Sequence, residues 1–119
     1  MLFYETFDDC DSKGGNDGLW SGNIATGTFN PDNEGWEADK AYGADQCAKF
    51  GTSSIVGSAT TPEFTINGET TFTFTAGAWN ATKDKTQLDL YVVGNGKLSE
   101  GTFTLKKGEW TDFTTTITG

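Results

Sequence analysis

Glu5 is a carboxylate on an otherwise apolar strand face, and this placement has a chemical consequence. In the stretch "LFYETFD" the side chains alternate, so Phe3, Glu5 and Phe7 share one face. If the two rings enter a core, an unpaired charge enters with them at a cost of several kcal/mol. Because arginine is absent and lysine is scarce nearby, we expect a calcium ion here, with Asp8 and Asp9 as further ligands. The alternative is that Glu5 lies in water at the rim.

Two further stretches place oxygen-bearing side chains at part of the spacing of a calcium-binding loop. "DCDSKG" begins at Asp9 and "NPDNEG" begins at Asn30. A complete loop also has an acidic residue at its twelfth position, where this chain has Trp20 and Ala41. Turn formation by Asp and Asn is therefore the favoured interpretation of both stretches.

Two cysteines, Cys10 and Cys47, bracket the part of the chain that is richest in glycine and aspartate. Because the chain has no histidine, they cannot complete the usual zinc sites, so a disulfide or two free thiols remain. We expect the disulfide, because it would close a loop that has little apolar surface with which to order itself.

Several aromatic residues are candidates for a surface that stacks against sugars: Trp20, Trp36, Tyr42, Trp79, Tyr91 and Trp110. Trp20 and Trp36 lie in predicted loops, and Trp79 closes a predicted strand beside "NATKD". These three tryptophans, with Asp84 as a polar partner for hydroxyl groups, are the predicted ligand-binding residues. The alternative for each ring is that it fills the core or covers a strand edge.

Catalysis has little support in the sequence. The chain has no histidine, and no nucleophile elbow, phosphate-binding loop or dinucleotide fingerprint occurs, so we expect a protein that is not an enzyme. The net charge of −9 disfavours nucleic acid and anionic membrane surfaces as partners. No apolar run approaches the roughly 20 residues of a membrane-spanning helix, so membrane insertion is not expected either.

Short alternating strands separated by turns dominate the pattern. Residues 2–8 are predicted to be a first strand, residues 9–47 a long loop region with short extended pieces, and the remainder regular strands. Turn sequences at 67–68, 94–96 and 107–108 predict hairpins between consecutive strands. No helical period longer than a turn occurs, so the sequence predicts an antiparallel β-sandwich in a single domain.

Four stretches carry a resemblance to a known group of domains: "YETFDDCDSKGGNDGLWSG", "CAKFG", "ATTPEFTINGETTFTFTAGAW" and "LDLYVVGNG". Together they resemble the jelly-roll domains of secreted and surface proteins of Bacteroidota, in the cleaved-adhesin and MAM-like group. These are similar in fold to galactose-binding-like carbohydrate modules. The resemblance implies a non-catalytic domain that binds glycans or host proteins and holds a structural calcium near its first strand, where Glu5 matches the acidic ligand.

One departure from this group concerns the end of the chain. Such domains finish with a strand that carries aromatics followed by an acidic residue, whereas this chain finishes with "TTTITG". Three alternatives remain open: residues 1–119 lack the closing C-terminal strand, another chain supplies it, or this member closes differently. Without a closing strand, residues 2–8 would be an exposed edge that invites strand addition.

The function predicted from these features is a carbohydrate-binding or adhesion module of a secreted or cell-surface protein. Its partner would be a glycan or a host surface protein, and its cofactor a structural calcium. The alternative is a structural or assembly module that binds protein partners by strand addition, with a strand-donating partner chain.

Overall fold

The regular structure is β-strand throughout the residues described by the computed structural model, which are 3–52, 55–80 and 86–119. Ten strands follow one another along these residues: β1 (Gly27–Thr28), β2 (Glu37–Asp39), β3 (Ala41–Gly43), β4 (Ala48–Phe50), β5 (Ser58–Thr60), β6 (Glu69–Ala76), β7 (Gln87–Asp89), β8 (Lys97–Leu98), β9 (Thr102–Thr104) and β10 (Thr111–Thr118). The all-β prediction is therefore confirmed. The same residues contain no helix long and apolar enough to cross a membrane.

The strands pair into four small sheets, and every strand pair is antiparallel. The sheet orders are β1-β3-β4, β6-β10-β8, β2-β5 and β7-β9. The chain forms one globule with extents of 43 × 27 × 23 Å.

The pair β6–β10 is the longest in the described chain and shows how alternation builds the core. Phe74 lies opposite Phe113 in the register, and their rings stack with centroids 5.3 Å apart. Phe103 of β9 packs edge-on against Phe74 at 5.0 Å and is buried. Phe72 and Phe74 lie on one face of β6 and threonines lie on the other, as the alternating sequence "TTFTFT" predicts.

The prediction of a first strand is wrong for residues 3–8, but the predicted alternation of their side chains is present. No strand is assigned over residues 3–8, and the chain leaves the extended conformation at Phe7, whose φ is 59°. Phe3 and Phe7 nevertheless lie on the same side, because both rings contact Trp36, at 5.8 and 5.5 Å. The segment is held by side chains rather than by strand pairing.

The predicted hairpins are also wrong. Glycines reverse the chain at 67–68, 94–96 and 107–108 as expected, with positive φ at Gly68, Gly94 and Gly108. The strands that flank each turn, however, join different sheets. Among the described strands only β3 and β4 are both consecutive and paired. A turn sequence reverses the chain direction but does not choose the neighbouring strand.

Candidate functional site

Three tryptophans from distant segments form one group, the tryptophan cluster: Trp20, Trp79 and Trp110. The centroid of the Trp20 ring lies 6.0 Å from that of Trp79 and 5.0 Å from that of Trp110. The interplanar angles are 63° and 64°, so both neighbours meet the central ring edge to face. The structure therefore brings two of the predicted ligand-binding residues together and adds a third ring.

Backbone hydrogen bonds hold the three segments of the cluster together. The N–H of Asn80 donates to the carbonyl oxygen of Trp20 at 2.9 Å. The N–H of Ala78 donates to the carbonyl of Lys106 at 3.0 Å, and the N–H of Gly108 donates to the carbonyl of Ala78 at 2.9 Å. These bonds place Trp79 beside the turn that leads to Trp110.

Glycines allow the indole rings to approach the backbone closely. A Cβ atom at Gly77 would lie 2.8 Å from Cη2 of Trp20, and one at Gly15 would lie 3.0 Å from Cζ2 of Trp110. Real side chains do not fit at such distances, so any larger residue at Gly77 would displace the Trp20 ring or the backbone beside it. The glycine-rich loop thus forms part of the floor of the tryptophan cluster.

Asp17 helps to order this loop through its own carboxylate. Its two carboxylate oxygens accept hydrogen bonds from the N–H groups of Gly14 and Leu19, each at 3.0 Å. The same two bonds, led by that from Gly14, lower the pKa of Asp17. The loop "DSKGGNDGLWSG" is therefore closed by an aspartate that caps its own backbone immediately before Trp20.

A lysine adds a positive charge at the edge of the cluster. Nζ of Lys49 lies 5.6 Å from the centroid of the Trp79 ring and 5.5 Å from that of Tyr42. Both distances are within the range of a cation–π interaction. Lys49 and Tyr42 are cross-strand partners in β4 and β3, so this small sheet places the Lys49 ammonium group near both the Tyr42 and the Trp79 rings.

Trp36 belongs to a different aromatic group. Its ring packs against Phe3, Phe7 and Phe29, with centroids 5.5 to 6.0 Å away. Its indole N–H donates to Oε1 of Glu5 at 3.1 Å. The structure therefore does not bring Trp36 to the tryptophan cluster. Asp84, the fourth predicted ligand-binding residue, lies outside the described residues.

Glu5 is surrounded by hydrogen-bond donors rather than by cations. Oε2 accepts from the N–H of Asp32 at 2.7 Å and from the N–H of Phe7 at 3.0 Å. Oε1 accepts from the N–H and the side-chain amide of Asn33, both at 3.0 Å, and from Trp36. The loop "NPDNEGW" thus wraps around the carboxylate.

These donors also control the charge of Glu5. Burial alone would raise its pKa, because it disfavours the ionised form. The backbone N–H groups of Asp32, Phe7 and Asn33, helped by the Asn33 side chain, outweigh burial and lower the pKa to about 2. Glu5 is therefore ionised across the physiological pH range.

The described residues give the predicted calcium site no supporting set of ligands. Five donors already use the lone pairs of the Glu5 carboxylate. Asp8 and Asp9 are exposed, and residues 3–52, 55–80 and 86–119 contain no group of three or more acidic, cysteine or histidine side chains able to hold an ion. Calcium stays a prediction, and the described residues give it no ligand set.

The predicted disulfide is absent, since Cys10 and Cys47 are both free thiols. The Cys10 thiol lies 3.7 Å from the carbonyl oxygen of Asn30, and the Cys47 thiol lies 3.5 Å from that of Gly14. Burial raises the pKa of both thiols. Each thiol is therefore protonated and directed toward a carbonyl oxygen rather than bonded to the other.

Trp110 and Lys49 are the site residues that sequence reasoning did not select. Trp110 was one of several candidate aromatics, but its place immediately before a strand gave no sign of a surface position. Lys49 could have been noticed as a basic residue within the strand sequence "CAKFG" of an otherwise acidic chain. Its closeness to Trp79 depends on contacts between residues 30 apart in sequence.

Comparisons with known protein families, with curated proteins and with solved structures find no match to this chain. The function is therefore inferred from the chain's own residues.

Proposed function

We propose that this chain is a non-catalytic carbohydrate-binding or adhesion module of a secreted or cell-surface protein. The observation that supports this most strongly is the tryptophan cluster, which gathers rings from three distant segments while Trp110 stays 38% exposed. Flat indole faces pack against the C–H groups of a sugar ring, and polar groups beside them hydrogen-bond its hydroxyls. Lys49 and the exposed Asn80 supply such groups at the edge of the cluster.

A jelly-roll sandwich is the finer fold that we propose for the four sheets. Consecutive strands such as β5 and β6 enter different sheets, which is the behaviour of a chain that alternates between two layers. Jelly rolls commonly serve as lectin domains, with ligands bound by loops at the sheet ends. The tryptophan cluster has that position, because Trp79 follows β6 and Trp110 precedes β10.

Several features support a non-catalytic role. General acid–base catalysis needs a group that gains and loses protons near neutral pH, and the donors around Glu5 keep its pKa at about 2. The pKa of each thiol is raised, which disfavours the nucleophilic thiolate. These side chains are therefore better suited to binding a ligand than to catalysing a reaction.

A glycan array followed by calorimetry tests the proposal. We expect at least one glycan to bind, and Trp110→Ala to weaken that binding about tenfold or more, because buried aromatic contacts dominate such interfaces. Tyr91→Ala is the matched control, since Tyr91 is 80% exposed and lies outside the cluster. Melting curves of both variants exclude a folding defect. Failure of every glycan to bind, or equal weakening by both variants, would refute the proposal.

A further inference from the structure

Lys49 is a half-buried cation whose neighbours are aromatic rings rather than carboxylates. The chain carries 17 acidic residues against 8 lysines, yet none of the acidic residues within 3–52, 55–80 and 86–119 forms an ion pair with Lys49. A charge that is partly withdrawn from water needs a compensating partner. The position of Lys49 therefore suits an anion that a ligand brings.

The two aromatic neighbours compensate the ammonium group only in part. Atoms in direct contact lie about 3.5–4 Å apart, whereas Nζ of Lys49 lies 5.5 Å from the centroid of Tyr42 and 5.6 Å from that of Trp79. An ammonium group has three N–H donors, and a carboxylate oxygen is a stronger acceptor for them than a ring face. A ligand carboxylate would thus add to these cation–π contacts.

This ammonium group lies at the edge of the tryptophan cluster, beside a second polar group. Trp79, which Lys49 approaches, belongs to the cluster. The next residue, Asn80, is exposed, and its amide carbon is 3.7 Å from the position of a Cβ atom at Gly108. The Asn80 amide therefore lies against the turn that leads to Trp110. Indole rings, an amide and a cation meet in one region.

The net charge of −9 does not prevent an anion from binding here. At physiological ionic strength, exposed charges more than about 8 Å apart are largely screened, whereas a carboxylate bonded to Lys49 would be about 2.8 Å from Nζ. Asp17, the acidic residue of the loop before Trp20, directs its oxygens to the N–H groups of its own loop. The adjacent ammonium group therefore has more influence on a bound carboxylate than distant acidic groups have.

Given the proposed function of the tryptophan cluster, on which this step rests, we propose that its ligand is a sugar that carries a carboxylate and that Lys49 selects it. The sugar ring packs against the indole surface, and Asn80 hydrogen-bonds to the hydroxyl groups. The carboxylate accepts hydrogen bonds from Nζ of Lys49. Uronic acids and sialic acids both have this chemistry.

Calorimetry on the full chain with two acidic probes tests the proposal. The probes are tetragalacturonate, a uronic acid oligomer, and sialyllactose, and each is compared with its own methyl ester, which has the same sugars without the charge. We expect at least one acid to bind about fivefold or more tightly than its ester, because hydrogen bonds to a charged acceptor are the stronger ones. The acid that shows the preference identifies the uronic or the sialic class.

Three lysine variants assign the preference to one side chain. Lys49→Met keeps an unbranched apolar stem and removes the charge, and Lys49→Arg keeps the charge. Lys97→Met removes the same charge from an exposed position in β8. We expect the ratio of acid to ester affinity to fall toward one in Lys49→Met, and to persist in Lys49→Arg and Lys97→Met. Melting curves check that each variant is folded.

The outcomes separate this proposal from the function on which it rests. Acids that bind no more tightly than their esters, or a ratio that Lys49→Met leaves unchanged, would overturn the role of Lys49. If glycans then still bound and Trp110→Ala weakened them, the carbohydrate-binding function would stand without a preference for acidic sugars. Failure of every acid, ester and neutral glycan to bind would refute both.

Discussion

Glu5 shows that a half-buried carboxylate can be stabilised by N–H groups alone. The sequence predicted a cation because the only visible partners for a charge are other charged side chains. Backbone N–H groups are not visible as a residue type, yet Asp32 and Asn33 contribute three of the five donors through their backbone and amide groups. Hydrogen bonds to an ionised acceptor are among the stronger ones in proteins. The carboxylate therefore links the first described segment to the loop that precedes Trp36.

Replacing Glu5 by glutamine is expected to destabilise the fold at neutral pH by about 1–2 kcal/mol. We expect a loss of unfolding free energy of only this size because the carboxylate keeps contact with solvent, which screens its interactions. The side-chain NH₂ of glutamine would replace one carboxylate oxygen and would face N–H donors. The donors that bond this oxygen in the parent chain would then lose their acceptor. Urea unfolding at pH 7 measures the change. Asp8→Asn, which removes an exposed carboxylate of the same segment, is expected to have little effect.

The pH dependence of stability in Glu5→Gln tests whether the ionised carboxylate is what stabilises the fold. The pKa of Glu5 falls from 4.5 when unfolded to about 2 when folded. A lowered pKa stabilises the folded state above pH 4.5, and this stabilisation is lost as the pH falls toward 2. The stability difference between the parent chain and Glu5→Gln should therefore shrink between pH 5 and pH 2. A difference that stays constant over this range would contradict the assignment.

The alternation of side chains along strands was predictable, whereas the pairing of strands was not. The period-two pattern identified the two faces of β6, because each face is decided by neighbouring residues in the sequence. Pairing joins Glu69 to Thr118, residues far apart in sequence, and no local signal specifies such a partner. Strand β8 has only two residues, which carry too little pattern to be located from the sequence.

The loop before Trp20 gives a prediction at the level of an element. Asp17 is the side chain that closes this loop, through Gly14 and Leu19. We expect Asp17→Ala to loosen the loop, to shift tryptophan fluorescence to longer wavelength and to weaken glycan binding together with it. Asp11→Ala, at another exposed aspartate of the same region, is the control. An unchanged emission spectrum in Asp17→Ala would mean that the loop is held by other contacts.

At the scale of the whole molecule, acidic residues outnumber basic ones. Seventeen acidic residues face eight lysines, which leaves a net charge of −9. Self-repulsion of this kind opposes the compact state, and added salt screens it. The sequence alone predicted this imbalance between acidic and basic residues.

Salt dependence separates general screening from a dedicated calcium site. Raising sodium chloride from about 0.05 M to about 0.5 M is expected to raise the melting temperature, since the screening length falls to a few ångströms. Calcium chloride and magnesium chloride at equal concentration are expected to give equal further increases, because the described residues offer no group of ligands shaped for calcium. Magnesium is the matched control, with the same charge and a stricter demand for octahedral geometry. If calcium raised the melting temperature more than magnesium, and Glu5→Gln removed that excess, Glu5 would be a calcium ligand and its donors would have to rearrange on binding.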